Sequence, residues 1–233
     1  MRLDKFLCDC NIGTRSQVKT YIRQGLVTVN GSPAVSTDLK VEESDNITFR
    51  GKRLEPRGFV YYMLNKPQGV VSATRDNTAQ TVIELLEGCA LPRNGVFPVG
   101  RLDKDTEGLL ILTDDGELAH RLLSPKKHVD KTYLVTAEHP LSPEDIVRLE
   151  QGVDIGEDHL TLPAKIKLET DTKFMLTIHE GKFHQVKRML QAVDNRVLAL
   201  KRTAFGGVAL DETLKPGEYR ELTKQEVEKL HEA

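Results

Sequence analysis

Gly100-Arg101-Leu102-Asp103-Lys104-Asp105-Thr106-Glu107-Gly108-Leu109-Leu110-Ile111-Leu112-Thr113 couples a polar loop to an unbroken apolar run. The run shows no alternation, the pattern of a strand buried on both faces. A loop carrying an arginine and two aspartates just before such a strand is where a rigid scaffold presents reactive groups. Asp114-Asp115-Gly116 closes the strand, and residues 117–123 read as a helix.

Upstream, residues 59–64 read as a strand that ends in the turn Asn65-Lys66-Pro67-Gln68-Gly69, and residues 81–87 as a short helix. Downstream, residues 132–136 and 174–178 read as strands. Ser142-Pro143-Glu144-Asp145 starts a helix with a cap, a proline at the first position and acids in the first turn. A helix from about His184 turns Val186, Met189, Leu190 and Val193 inward, and Thr223-x-x-Glu226 caps a last one. Strands joined by turns and intermittent helices predict an α+β fold, with a mixed, mostly antiparallel β-sheet and flanking helices.

The N-terminal stretch has a different grammar. Leu3, Phe6, Leu7 and Cys10 recur at helical spacing, so residues 2–10 read as a short amphipathic helix. Thr14-x-x-Gln17 is a capping box, Val18 and Ile22 form a buried stripe, and Gly25 stops the second helix. Arg15, Lys19 and Arg23, four residues apart, line one exposed face. Leu26-Val27-Thr28-Val29 runs into Asn30-Gly31, a hairpin-turn signal, with further extended stretches expected around Val35 and at residues 46–50. Residues 51–58 are polar and rich in turn formers and read as a linker, which divides the chain into domains at 1–58 and 59–233.

Composition narrows the function. The 233 residues are 39% hydrophobic, too apolar for disorder, yet no apolar run approaches the roughly 18 residues that cross a bilayer. The start, Met1-Arg2-Leu3-Asp4-Lys5, lacks the apolar core of a secretory signal, so a cytoplasmic protein without membrane partners is expected. Cys8, Cys10 and Cys89 are odd in number and complete no zinc pattern, so buried reduced thiols are expected. There is no HExxH, GxGxxG, P-loop or GxSxG, which removes support for metalloprotease, nucleotide-cofactor and serine-hydrolase chemistry.

A net charge of −2 argues against a nucleic-acid partner until it is resolved along the chain. Residues 1–58 hold 10 basic and 7 acidic side chains, and residues 165–202 hold 9 and 4. Between them, residues 138–160 hold 1 and 7. Phosphate binding depends on local charge, so two basic regions on a near-neutral protein suffice.

Arg2-Leu3-Asp4-Lys5-Phe6-Leu7, Thr14-Arg15-Ser16, Ile22-Arg23-Gln24-Gly25 and Val27-Thr28-Val29-Asn30-Gly31 together resemble the S4 RNA-binding domain, with Thr14 where serine is commoner. That resemblance implies that Arg15, Lys19 and Arg23 contact RNA phosphates, giving affinity and register without sequence identity. Asp4 and Lys5 are expected to pair locally or stay solvated.

The larger part resembles the RNA pseudouridine synthases in four ordered blocks. These are Lys66-Pro67-Gln68-Gly69, the Gly100–Leu110 stretch with Asp103 and Thr106, Lys131-Thr132-Tyr133-Leu134-Val135, and Glu180-Gly181-Lys182-Phe183-His184-Gln185-Val186-Lys187-Arg188-Met189. The likeness continues through Gly206-Gly207 and Lys215-Pro216-Gly217-Glu218-Tyr219-Arg220, and an S4-like domain in front matches the branch that acts on small-subunit (16S) ribosomal RNA.

What the resemblance implies is an isomerase. The C1′–N1 bond of a flipped-out uridine is broken, the uracil turns and C1′–C5 forms, so no cofactor and no metal is expected. Asp103 is then the catalytic carboxylate, either adding to the nucleoside or taking a ribose proton. Tyr133 stacks on the uracil, and Lys187 is the cation that keeps the carboxylate ionised. Arg101, Lys182, His184 and Arg188 are further RNA contacts. The partner is ribosomal RNA or a partly assembled subunit, and the protein is expected to act as a monomer. Two other readings compete within the family, a large-subunit synthase and a non-catalytic assembly factor, although the latter should have lost the Asp103, Tyr133 and Lys187 trio. A hydrolase using Asp103 and Asp105 is the weakest, since two acids on one loop rarely reach the required geometry.

Overall fold

A computed structural model describes the chain except for residues 11, 43, 56, 57 and 87–94. The chain forms two compact units, Met1–Phe59 and Val60–Ala233.

The first unit packs helices α1 (Leu3–Asp9) and α2 (Arg15–Arg23) with a small antiparallel sheet of β1 (Val27–Val29), β2 (Ser32–Pro33), β3 (Ile47–Phe49) and β4 (Lys52–Arg53), in the order β2-β1-β3-β4. Leu3, Phe6, Leu7, Val18, Ile22, Val27 and Ile47 make its core. The capping box forms as Thr14 and Gln17 predict. Asn30 and Gly31 both take positive φ, as the tight β1–β2 hairpin requires. The second extended stretch lies at β2 and not around Val35, whose side chain is exposed. The expected linker is in part a strand: Arg50 and Gly51, both at positive φ, turn β3 into β4. Cys8 and Cys10 are reduced and half-buried, and Cys89 lies outside the described residues.

The second unit contains strands β5 (Tyr61–Lys66), β6 (Phe97–Pro98), β7 (Glu107–Thr113), β8 (Lys131–Ala137), β9 (Lys165–Leu168), β10 (Lys173–Ile178), β11 (Val197–Phe205), β12 (Val208–Ala209) and β13 (Tyr219–Glu221). Its helices are α3 (Gly116–Leu123), α4 (Pro143–Gln151), α5 (Gln185–Gln191) and α6 (Lys224–Glu232). The sheet runs β13-β5-β7-β11-β8-β10-β9, with β6 on β7 and β12 on β11. Among the described residues only β7 and β11 pair in parallel. One face packs Leu64, Leu110, Leu112, Tyr133, Val135, Phe174 and Leu176 with Val186, Met189 and Leu190 of α5, and the other packs Leu109 and Ile111 with Leu118 and Leu122 of α3. The apolar run of β7 therefore serves two cores at once, which is why it shows no alternation.

Two expectations change. Asn65 and Lys66 extend β5 and are not part of the turn. Residues 81–86 form turns and no helix, because Val82 N–H donates to Val71 O and Thr81 bridges Val71, so the backbone bonds go elsewhere.

Gly108 permits the parallel pair. It lies at φ +103, and a Cβ there would sit on the Arg202 backbone, at 2.2 Å from its carbonyl oxygen. Gly108→Ala should force β7 and β11 apart and destabilise the protein by about 2–3 kcal/mol. Urea unfolding midpoints check this, and a change below about 0.5 kcal/mol would contradict the close approach.

Candidate active site

The loop that precedes β7 is held from beneath. Leu102 is buried, and its N–H and C=O both bond the Ser72 hydroxyl, at 3.0 and 2.9 Å. Gly69 N–H donates to Lys104 O at 2.8 Å, and Thr106 N–H to Asp103 O. The Lys66 ammonium, fully buried at the end of β5, donates to the carbonyls of Pro67, Asp103 and Thr106 at 2.9–3.0 Å. Burial pushes Lys66 down to about 8, opposed by the charges of Asp103, Asp105 and Glu107. It remains an ammonium at neutral pH, with three protons for these three carbonyls and a longer fourth contact to Lys104 O at 3.4 Å.

This clamp fixes the Asp103 backbone and leaves its carboxylate facing solvent, 29% exposed. Lys187, on the first turn of α5, reaches it at 3.1 Å and reaches Asp105 at 2.6 Å. One cation thus bridges two carboxylates. Burial alone would lower Lys187, but the bonds to Asp105 and Asp103 outweigh it and leave it raised. Asp105 is lowered, first by its hydrogen bond from Lys187. His184 Nε2 lies 3.6 Å from the other oxygen of Asp103.

Tyr133 is placed by β8, with β11 between it and β7. It is 8% exposed and stands in register with Arg202 of β11. Arg202 is itself buried, donates from Nε to Leu109 O at 2.8 Å and lies 5.0 Å over the Phe205 ring. The structure thus brings Asp103, Lys187 and His184 together and sets Tyr133 on the same sheet, two strands from β7.

The remaining expected RNA contacts differ in freedom. Arg101 is exposed. Lys182 lies 3.6 Å from Glu180, and Arg188 is engaged by Glu157 at 2.7 Å and by the carbonyls of Phe183 and Ile155. In the N-terminal unit Arg15, Lys19 and Arg23 are exposed along α2, while Asp4 pairs with Arg2 at 2.9 Å. Among the described residues no group of three or more His, Cys, Asp or Glu has metal-binding geometry, and no helix is long and apolar enough to cross a membrane.

Residues 60–192 match the family model described as RNA pseudouridylate synthase, and residues 1–47 match the S4 domain. The chain belongs to the RNA pseudouridine synthase family. The uncharacterized RNA pseudouridine synthase YtzG of Bacillus subtilis is 50% identical, over 100% of this chain and 99% of the relative. Ribosomal small subunit pseudouridine synthase A of Vibrio cholerae is 42% identical, over 97% and 98%. A crystal structure of a pseudouridylate synthase, 42% identical, superposes with a TM-score of 0.70 over 99% of each chain.

Two residues of this synthase escaped the sequence reading, Lys66 and Arg202. Lys66 sits in a quoted block but reads there as part of a polar turn. Arg202 follows Lys201 in a stretch that gives no sign that one of the two cations points inward.

Lys131, the first residue of β8, adds a pH signature. Burial, then repulsion from Arg202, push it down to about 8, below the ordinary 10.5. The unfolded chain therefore binds more protons between these values, and the group's contribution to stability rises with pH across that window. Lys131→Met should exceed wild type in stability by more at pH 7 than at pH 9.5, measured as urea midpoints. A difference independent of pH would contradict the depressed value.

Proposed function

We propose that this synthase isomerises one uridine of small-subunit (16S) ribosomal RNA, with Asp103 as the catalytic carboxylate. The observation that carries it is the loop geometry: the Asp103 main chain is clamped by Lys66 while its side chain is left open beside the Lys187 ammonium at 3.1 Å. The resemblance in sequence to small-subunit synthases over nearly the whole chain supports the choice of RNA.

The reaction breaks C1′–N1, turns the uracil and forms C1′–C5, after which the C5 hydrogen leaves as a proton. Both routes open to Asp103, addition to the nucleoside and removal of a ribose proton, are reactions of its carboxylate, and the Lys187 ammonium stands 3.1 Å from it. Tyr133, opposite Arg202 in the β8–β11 register, packs against the uracil. The base is taken out of its stack before it meets Asp103. Arg15, Lys19 and Arg23 supply phosphate contacts that strengthen binding without reading sequence.

The test uses RNA tritiated at uracil C5, since isomerisation must release that hydrogen. Release from 16S RNA and none from 23S RNA is expected. Release from 23S RNA alone would move the enzyme to the large subunit, and none from either, or from assembly intermediates, would remove the enzymatic reading.

A further inference from the structure

We infer that Phe183 is a stacking platform for an unpaired nucleobase next to the target uridine. This rests on the RNA isomerase reading and adds a determinant of substrate choice to it.

Phe183 is 73% exposed, unusual for a large apolar side chain fixed in an ordered turn. Its ring lies parallel to that of His184, with centroids 3.8 Å apart and an interplanar angle of 19°. His184 in turn stands 3.6 Å from Asp103. The imidazole and the phenyl ring thus form a two-ring column that ends in solvent, with the imidazole Nε2 facing Asp103. A base stacked on the outer phenyl face continues that column at the ring spacing already set, within the reach of a nucleotide adjoining the one at Asp103.

The turn beneath is built to hold still. Arg188 donates to the Phe183 carbonyl at 3.1 Å and is fixed by Glu157, and Gln185 ties Lys182 N–H to Glu180. His184 holds a left-handed backbone, φ 49° and ψ 32°, which turns its ring and that of Phe183 to the same side of the loop. Strain of this kind persists only where the surroundings impose it.

The chemistry favours RNA over a protein partner. Lys187 reaches Asp103 beside His184, and Lys182 precedes Phe183 in a stretch, residues 165–202, with 9 basic and 4 acidic residues, which suits a phosphate backbone. Stacking on an aromatic face is also how proteins hold bases splayed out of a helix.

The experiment compares wild type with Phe183→Ala, Phe183→Leu and Phe183→Tyr on protein-free 16S RNA tritiated at uracil C5, reading KM and kcat by release and Kd by filter binding. Alanine and leucine should each weaken binding roughly 5- to 150-fold, with the loss falling mainly on KM, while tyrosine keeps the wild-type value. Leucine binding as well as wild type would reduce the site to apolar contact, and tyrosine failing to rescue would contradict stacking. Either result overturns the inference, as does equal Kd for all four proteins, which is also what a contact made only to ribosomal proteins would give. Should no tritium be released even by wild type, the isomerase reading fails, and the Kd series alone still decides whether Phe183 stacks on RNA.

Discussion

Asp103→Asn should abolish tritium release, by at least about 10⁴-fold, while RNA affinity stays within about threefold of wild type. The amide has nearly the shape of the carboxylate but can neither add to the nucleoside nor take a proton from the ribose. The change is cleaner than most active-site deletions, because Lys187 keeps Asp105 at 2.6 Å and is not left as an unpaired cation. The main-chain carbonyl of Asp103 still accepts from Lys66, so the loop retains its anchor. Asp105→Asn is the matched control. That side chain is 68% exposed, and its loss should cost far less turnover than the loss of Asp103. A variant at Asp103 that kept more than about 1% of turnover would show that the carboxylate is not the reacting group.

The second large effect concerns a residue that need never touch RNA. Lys66→Met removes the three protons that satisfy the carbonyls of Pro67, Asp103 and Thr106 and leaves those acceptors buried. Each unsatisfied group costs about 1–3 kcal/mol, so a loss of about 3–5 kcal/mol is expected in urea unfolding. Turnover should also fall by about 10²-fold in the fraction that stays folded, because Asp103 is no longer fixed to the tolerance its reaction needs. Affinity for RNA should move little. A variant with wild-type stability and turnover would show that the bonds made by the Gly69 N–H and the Ser72 hydroxyl hold the loop by themselves.

Elements governed by local chemistry were legible in the sequence. The Thr14–Gln17 capping box, the uninterrupted β7 run and the inward stripe of α5 each follow from spacing that the structure reproduces. What the sequence concealed depends on partners far along the chain. Residues 81–86 have helical composition, but Thr81 and Val82 pair with Val71 and Leu86 N–H bonds Ile83 O in a turn. The β3–β4 hairpin turns on Arg50 at positive φ, a residue that does not announce a turn. The meeting of Asp103 with Lys187 came from family likeness, since nothing in the spacing of two residues 84 positions apart predicts a 3.1 Å pair. Lys66 and Arg202 were hidden for the opposite reason, because lysine and arginine are expected outside and burial is set entirely by what surrounds them.

The parallel pairing of β7 with β11 also bears on how the protein acquires its structure. Arg202 bonds Leu109 across 93 positions, and Asn65, at the end of β5, bonds Leu214 across 149. Contacts of such separation carry a high loop-closure cost and form late and slowly. During synthesis the Asp103 turn meets His184 and Lys187 only after α5 has left the ribosome, so the completion of this site waits on the chain's C-terminal third.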